Sequence, residues 1–258
     1  MKQIKKILFV VLPFILVVFF YGIWLSGKYA VPIVMYHSVE NSQGPAGIVV
    51  SPKSFAKQMD YLQKKHYKVL SLDELVSLIK EKKPMPRKSV VITFDDGYEN
   101  NYLNAYPALK KYGFPATIFV IVDLIGREGY LTWDEISEME KYGITVGSHT
   151  LDHTYLPGVP VEWQEHQIVE SKKILEARLG HRVDYFVYPS GGFTEETKAI
   201  VKGAGYKGAC STNRGYQTLN KDEYELKRVR FKNTDSTPAF WAKLSGYYNF
   251  FKNPRDPS

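Results

Sequence analysis

The sequence predicts an α/β fold, a (β/α) barrel of about seven strands that follows one N-terminal transmembrane helix. Two observations predict the barrel. Short apolar runs alternate with helical patterns of about a dozen residues, and about seven such units follow residue 30, which suits a barrel better than an open sheet. A long uncharged apolar run near the N-terminus predicts the membrane helix. We therefore divide the chain into residues 1–30, a cytoplasmic stub with an anchor, and residues 31–258, one globular domain.

The predicted membrane helix lies close to the N-terminus. Lysines occupy positions 2, 5 and 6, and no charged residue follows until Lys28. The apolar run from Ile7 to Leu25 contains 19 residues, about the length that crosses the hydrocarbon core of a bilayer. Because the lysines precede this run, the positive-inside rule places the N-terminus in the cytoplasm and the rest of the chain outside. The alternative is a cleaved signal peptide and a secreted protein.

From residue 31 onward, strand and helix patterns alternate. Strands are predicted, in order, within AVPIVMYHSV, KVLSLDELVSLIKEKK, KSVVITFDDG, PATIFVIVDLIG, ITVGSH, YFVYPSGG, YKGACST and LKRVRFKN. The second of these segments is read as a short strand followed by a helix, and YFVYPSGG as a strand and a loop. Helices are predicted at SPKSFAKQMDYLQKKHY, LDELVSLIKEKK, YLNAYPALKKYG, LTWDEISEMEKYG, VEWQEHQIVESKKILEARLG, TEETKAIVKGAG and STPAFWAKLSG. The pattern contains no internal repeat and no low-complexity linker, so we predict one domain.

The composition limits the partners of the protein. The chain of 258 residues is 44% hydrophobic and 24% charged, which is ordinary for a globular domain with a sizeable core. Its net charge of +7 is spread along the chain, and no basic stretch alternates with stacking aromatics, so we expect no nucleic-acid partner. The single cysteine, Cys210, excludes an intrachain disulfide.

Polar side chains follow several predicted strands at the point where each strand ends. They are His37, Asp95, Asp96, His149, His153 and the loop 189–192. In a (β/α) barrel the carboxyl ends of the strands lie on one face, where active sites form. We therefore expect these residues to form one site.

The residue types at these strand ends are those of a metal site. His149 and His153 are four residues apart, which places them on one face of a helical turn. Two imidazoles and one carboxylate of the adjacent aspartates, Asp95 and Asp96, make a three-ligand set with an open position, typical of catalytic zinc. The other carboxylate is then free to act as a base on metal-bound water. Taken singly, the aspartates also fit a plain turn and the histidines a solvated helix face, but their combination favours a metal.

The motif TFDDG, followed roughly fifty residues later by SHTLDH, resembles the polysaccharide deacetylase family, the NodB-homology domain of the family-4 carbohydrate esterases. The resemblance covers about residues 31–244. The earlier motif IVMYHSV is similar to the subgroup that deacetylates extracellular poly-N-acetylglucosamine. The resemblance implies that residues 31–258 form a catalytic domain with a distorted (β/α) barrel and one divalent metal, usually zinc.

The same resemblance implies roles for the motif residues. Asp96, His149 and His153 correspond to the metal ligands. Asp95 corresponds to the general base, which takes a proton from metal-bound water as that water attacks the acetamide carbonyl of an N-acetylated sugar. A general acid must then protonate the leaving amine.

The loop YPSGG corresponds to the family's oxyanion loop. Its candidate residues are Tyr188, Pro189, Ser190 and Gly191. The backbone N–H of Ser190 is the expected donor, which would hold the oxyanion together with the metal.

Two departures from the family pattern shift roles to other residues. Val187 stands where the family has the arginine that steadies the base, and LKRVRF offers Arg228 and Arg230 on one face of a late strand. The subgroup resemblance assigns this role to Arg228, although an edge strand would leave both arginines on the surface. No histidine follows His181 to serve as the usual late general acid. The subgroup's MYH motif assigns that role to His37, for which a core histidine is the alternative.

These assignments predict a hydrolase that removes N-acetyl groups from an extracellular or cell-wall polysaccharide of N-acetylated amino sugars. A competing hypothesis is a carbohydrate-binding module that keeps the barrel but has lost turnover, as the missing arginine would suggest. The pattern is also compatible with an O-acetyl esterase of the xylan type and with a metal-dependent amidase or phosphoesterase of another class. The released product, acetate, phosphate or a peptide fragment, separates these classes.

Overall fold

Ten short β-strands pair in parallel within the part of the chain that the structure describes. The computed structural model covers residues 2–42, 48–213 and 221–250, without the side chains of residues 2–13 and 237. The strands are β1 (Ile33–Tyr36), β2 (Ser38–Val39), β3 (Val49–Val50), β4 (Lys68–Leu70), β5 (Ser89–Phe94), β6 (Ala116–Val120), β7 (Ile144–Ser148), β8 (Tyr185–Val187), β9 (Gly208–Ser211) and β10 (Leu226–Arg230).

Seven of these strands form a closed ring. Strand β1 pairs with β5 on one side and with β10 on the other, and β5 through β10 pair in chain order. Strand β4 adds to the start of β5, and β2 and β3 form a separate two-stranded sheet. The prediction of a parallel (β/α) barrel with about seven strands is therefore confirmed.

Within the described residues, α-helices precede, connect and follow the strands of the ring. They are α1 (Lys2–Ser26), α2 (Pro52–Lys64), α3 (Leu72–Lys80), α4 (Tyr106–Tyr112), α5 (Trp133–Glu140), α6 (Val161–Leu179), α7 (Glu195–Gly203) and α8 (Thr237–Leu244). Capping boxes begin α3 and α5, where Ser71 pairs with Glu74 and Thr132 with Glu135. These reciprocal bonds satisfy backbone N–H groups that the first turn of a helix leaves without partners.

The barrel wall separates two hydrophobic clusters. On β5, Ile92 and Phe94 pack in the larger cluster, which includes the surrounding helices, whereas Val91 packs in the smaller cluster. The smaller cluster also contains Leu75 of α3, so that helix closes the lower end of the barrel interior. Because strand side chains alternate between faces, Asp95 continues the inward row that begins at Val91. The apolar lower interior thus leaves the carboxyl ends of the strands for polar groups.

The predicted transmembrane helix over Ile7 to Leu25 is not supported. The N-terminal segment is helical from Lys2 to Ser26. Within the described residues, however, no helix combines the length and apolar character needed to cross a membrane. The side chains of residues 7–13, which belong to the predicted span, lie outside the described residues.

Candidate active site

The end of β5 aims Asp95 into the barrel interior, where Arg228 of β10 meets it. Arg228 Nη1 donates to Asp95 Oδ1 at 2.6 Å, and Nη2 donates to Oδ2 at 2.7 Å. Nη1 also donates to the hydroxyl of Thr93 at 3.1 Å. Asp95 and Arg228 are each only 2% exposed. The structure therefore places Arg228 in a buried bidentate ion pair and not on the surface of an edge strand.

The ion pair controls the charge of Asp95. Burial by itself raises the pKa of the Asp95 carboxyl, because a low-dielectric interior disfavours the charged form. The charge and the two hydrogen bonds of Arg228 outweigh burial and lower that pKa to about 2. Asp95 is consequently a carboxylate throughout the neutral range. Its role in catalysis stays a prediction.

Asp96 turns away from its neighbour because the chain leaves β5 in a left-handed conformation. Its φ is 71°, and the following Gly97 has φ 75°. Asp96 Oδ1 lies 3.4 Å from His149 Nε2 and 3.8 Å from His153 Nε2. Two adjacent carboxylates are thereby separated, one directed to an arginine and the other to two histidines.

His149 follows β7 directly and is buried. Its Nδ1 lies 3.0 Å from the carbonyl oxygen of Val187. Since a carbonyl only accepts, Nδ1 carries the hydrogen and Nε2 keeps its lone pair towards Asp96. A backbone partner of this kind fixes the tautomer and orientation of a metal-binding histidine.

The segment from His149 to His153 is not a helical turn, and this prediction is wrong. Thr150 and His153 have φ angles of 67° and 69°, so the backbone forms a left-handed bend. The Thr150 hydroxyl accepts the backbone N–H of His153 at 3.0 Å and stabilises the bend. The two imidazole rings stand nearly perpendicular, at 82°, with centroids 4.6 Å apart. The bend thus brings both histidines to one point without helical spacing.

Asp96, His149 and His153 fit a divalent metal. One donor atom from each lies within 4.8 Å of the others. Asp96 Oδ1 lies 3.4 Å and 3.8 Å from the two Nε2 atoms, so small side-chain adjustments would bring the three atoms to the roughly 2.0–2.2 Å that zinc takes with nitrogen and oxygen ligands. Two imidazoles and a carboxylate also match the donor types that zinc prefers.

His37 follows β1 and reaches the same interior. Its Nε2 lies 3.9 Å from Asp95 Oδ2. Its Nδ1 is buried and has no hydrogen-bond partner among the described residues. Burial lowers the pKa of His37, although the carboxylates of Asp95 and Asp96 act in the opposite direction. His37 is therefore not a histidine satisfied by the core backbone.

The loop after β8 brings Ser190 and its backbone N–H group to the cavity. Residues Pro189–Gly191 form one 3₁₀ turn, and Ser190 lines the cavity with φ 55°. The N–H of Ser190 precedes the first hydrogen bond of that turn, Gly191 N–H to Tyr188 O at 2.8 Å, so the turn provides it no acceptor. The hydroxyl of Tyr188 donates to the carbonyl of Tyr224 at 3.0 Å. Tyr188 also lines the cavity, and its place in the oxyanion loop stays a prediction.

These groups surround a cavity of about 550 Å³ at the mouth of the barrel. The sequence analysis missed several residues that line it: Ile48, Thr212, Lys232, Lys243, Tyr248 and Asn249. Tyr248 and Asn249 lie after α8, in an aromatic stretch near the C-terminus. Nothing in their local pattern distinguishes a cavity wall from a core contact, because long-range folding brings them there.

Tyr98 is a further neighbour of the metal site that the sequence analysis missed. Burial raises the pKa of its hydroxyl, and the adjacent Asp96 carboxylate raises it further. The ring of Tyr98 stacks on Tyr130, with centroids 5.2 Å apart. Its position two residues after Asp96 was the available signal, since the left-handed turn at Gly97 brings it back over the site.

Comparisons with known proteins agree with this geometry. A model of the polysaccharide deacetylase family matches residues 82–209. YxkH of Bacillus subtilis (strain 168), which carries the polysaccharide deacetylase name provisionally, is 36% identical over 213 residues, covering 83% of this chain and 75% of that protein. The poly-beta-1,6-N-acetyl-D-glucosamine N-deacetylase of Staphylococcus aureus (strain MRSA252) is 32% identical over 194 residues, covering 70% of this chain and 67% of the enzyme.

Solved structures share the fold over most of the chain. The Streptococcus pyogenes deacetylase PplD, in complex with acetate, superposes with a TM-score of 0.78 at 28% identity, covering 83% of this chain and 98% of that one. IcaB from Ammonifex degensii superposes with a TM-score of 0.72 at 26% identity, covering 86% and 97%.

Proposed function

This chain belongs to the polysaccharide deacetylase family, and we propose that it is a metal-dependent N-deacetylase of a polysaccharide of N-acetylated amino sugars. One observation carries the proposal. A three-donor set that fits a divalent metal lies beside a buried aspartate that an arginine keeps ionised. Amide hydrolysis needs both an electrophilic centre and a base, and here the two are adjacent.

Asp96, His149 and His153 are the residues that would hold the metal, with zinc as our proposal. When bound, a divalent ion supplies Lewis acidity that polarises the acetamide carbonyl and makes water more acidic. The bond from His149 Nδ1 to the carbonyl of Val187 orients the ring before any ligand arrives.

We assign Asp95 the role of general base, which accepts a proton from the attacking water. Arg228 lowers its pKa to about 2, which would make Asp95 a weak base towards ordinary water. The same carboxylate would suffice if a bound metal ion made the water more acidic. The bidentate pair with Arg228 holds both carboxylate oxygens in one orientation, so the proton acceptor needs no rearrangement in the transition state.

We assign His37 the role of general acid and Ser190 that of oxyanion donor. His37 lies on the cavity wall beside Asp95, where a protonated ring can reach a leaving amine. Because burial lowers the pKa of His37, a proton placed on it is readily given up. The Ser190 N–H lies at the start of a helical turn and points its positive dipole at a developing negative oxygen.

Acetate release from N-acetylglucosamine oligomers, measured with added zinc, tests the proposed function. We expect one acetate for each deacetylated sugar and a new free amine on the product. Binding of the oligomers without acetate release would indicate an inactive carbohydrate-binding module. Acetate from O-acetylated xylan alone would indicate an esterase, and release of phosphate or peptide fragments would indicate another class of hydrolase.

We also propose that residues 31–258 form the catalytic domain and act outside the cytoplasmic membrane, on an extracellular or cell-wall polymer. Lysines followed by a long uncharged run are typical of a chain whose N-terminal segment directs export. An extracellular or cell-wall polysaccharide lies outside the cytoplasmic membrane, so an enzyme that acts on it works there.

A further inference from the structure

The cavity at the barrel mouth has an excess of positive charge. Its lining contains four cationic side chains and two carboxylates. The cations are Arg228, Arg230, Lys232 and Lys243, and the carboxylates are Asp95 and Asp96. A metal ion at Asp96 would add further positive charge, so the carboxylates cannot balance this wall.

Two of the four cations have committed counter-charges. Arg228 uses both terminal nitrogens on Asp95. Lys243 Nζ lies 2.7 Å and 2.6 Å from the two carboxylate oxygens of Asp235. Arg230 differs, because in the described part of the chain its guanidinium forms no hydrogen bond or ion pair.

Arg230 is directed into the cavity by the same alternation that directs Arg228. It lies two residues further along β10, about 6.6 Å nearer the carboxyl end of the barrel. Arg230 pairs in register with Met35 of β1, two residues before His37. Its guanidinium is therefore expected nearer the cavity mouth than the Asp95–Arg228 pair.

Leaving Arg230 without a counter-charge is unfavourable. The side chain is half-buried, and burial lowers its pKa, although Asp95 acts in the opposite direction. Arg228 repels it, and a bound metal would repel it further. A half-buried cation with no hydrogen-bonded counter-charge among the described residues is a feature of a ligand site.

We propose that Arg230, with the exposed Lys232 at the rim, forms a subsite for an anionic substituent of the substrate. The inference rests on the proposed function and narrows its substrate class to an N-acetylated polysaccharide with a carboxylate or phosphate on or next to the deacetylated sugar. A guanidinium binds either group with two parallel hydrogen bonds. The buried Oδ1 of Asn249, on the same wall, lacks a partner among the described residues and matches a sugar hydroxyl.

The test compares three oligomers of equal length. One contains only N-acetylglucosamine and is neutral, the second alternates with the carboxylate sugar N-acetylmuramic acid, and the third contains a phosphorylated N-acetylglucosamine. Each is assayed for kcat/KM of acetate release with zinc, and for calorimetric binding to the metal-free protein. The variants are Arg230→Gln and Arg230→Lys, with Arg127→Gln as control. Arg127 is exposed and lies outside the cavity lining, so Arg127→Gln removes the same charge at a position away from the cavity.

We expect the protein to prefer one of the acidic oligomers, and the carboxylate and phosphate arms identify which. Arg230→Gln lowers the acidic-to-neutral ratio about tenfold in both assays, because it removes a charge-assisted contact. Arg230→Lys should give an acidic-to-neutral ratio between those of Arg230→Gln and the unmodified protein. Arg127→Gln should give the same ratio as the unmodified protein. A ratio that is unchanged in Arg230→Gln, or equal affinity of the unmodified protein for all three oligomers, would overturn the inference.

The two proposals fail separately. If no oligomer releases acetate, the proposed function is wrong, while the calorimetric ratio still decides whether Arg230 selects anions. If neutral oligomers are deacetylated and the ratio does not respond to Arg230, the function stands and the anion subsite is refuted.

Discussion

At the residue scale, the chemistry depends on how two adjacent carboxylates acquire different environments. Asp95 lies on the inward face of β5 and meets Arg228, whereas Asp96 has a left-handed backbone and meets His149 and His153. Asp95 is paired with a permanent cation, whereas Asp96 faces two imidazole nitrogens, so the neighbouring carboxylates lie in different environments. This separation agrees with the proposed roles, Asp95 as general base and Asp96 as metal ligand.

The division of labour predicts different outcomes for Asp95→Asn and Asp96→Asn. Asp95→Asn should retain metal and lose about 10²- to 10⁴-fold in kcat, because the general base is lost. Asp96→Asn should lose the metal as well, measured as zinc stoichiometry after dialysis. Equal metal loss in both variants would contradict the assignment.

A stability measurement must accompany Asp95→Asn. The variant leaves Arg228 buried without a counter-charge, and breaking a buried ion pair from one side costs about 3–5 kcal/mol. Urea unfolding shows whether the assay temperature still lies within the folded range. The double variant Asp95→Asn with Arg228→Met removes the unpaired charge and provides the matched control.

His37→Ala should separate proton donation from the rest of the reaction. Metal content should stay normal, because His37 is outside the three-donor set. Turnover of acetamides should fall more than turnover of an activated aryl acetate, whose leaving group departs without protonation. Equal loss on the two substrates would assign His37 a structural role instead.

At the element scale, a close approach to Thr212 shapes the loop after β8. Gly191 has φ 79°, and a Cβ there would lie 2.6 Å from the backbone nitrogen of Thr212 and 2.0 Å from its hydroxyl oxygen. Thr212 also donates its hydroxyl to the carbonyl of Ser190 at 2.9 Å. The position of the Ser190 N–H therefore depends on a glycine at 191.

Gly191→Ala should accordingly reduce both activity and stability. Gly113→Ala is the matched control, because Gly113 has φ 64° but nothing within 4 Å of a new Cβ. The control costs about 1–2 kcal/mol for a left-handed alanine, and Gly191→Ala should cost clearly more because the loop must also move. Urea unfolding and kcat measure the two effects. Equal stability of both variants and full activity of Gly191→Ala would exclude the close approach as a determinant of the site.

At the scale of the whole molecule, closure of the barrel assembles a site from distant parts of the chain. Strand β1 lies between β5 and β10, so the first and last strands of the ring both contribute residues near the aspartates, His37 and Arg228. Helix α3 closes the opposite end with apolar side chains. Water and substrate therefore reach the polar groups from the mouth.

The proposed location outside the cytoplasmic membrane is also a property of the whole chain. Protease added to intact cells that produce the full-length protein should cleave the domain. Fractionation of the same cells should show whether the N-terminal segment is retained or cleaved. A pellet fraction that resists high salt would indicate a retained segment. A soluble external species that begins near Lys28 or Val31 would indicate a cleaved signal. Protection from protease in intact cells would contradict the location.

Local periodicity was enough to predict the barrel and the convergence of its polar residues. Alternating apolar runs and helical patterns predicted the parallel barrel, and polar residues at strand ends predicted that Asp96, His149 and His153 converge. These predictions succeeded because parallel strands in a (β/α) barrel all present their carboxyl ends on one face. Burial, backbone direction and strand order are then enough to place the residues, even though the bend at Thr150 was mistaken for a helical turn.

The pairing of cations with carboxylates became evident only in the folded protein. Arg228 and Arg230 have the same pattern in the sequence, yet one is paired with Asp95 and the other faces the cavity. The difference arises from how strands far apart in the chain are aligned when the ring closes, which no local pattern encodes. The partnership of Tyr188 with Tyr224 and the approach of Asn249 to the cavity have the same origin. A side chain's partner depends on which long-range contacts bury the most surface together, and that is settled by the whole fold.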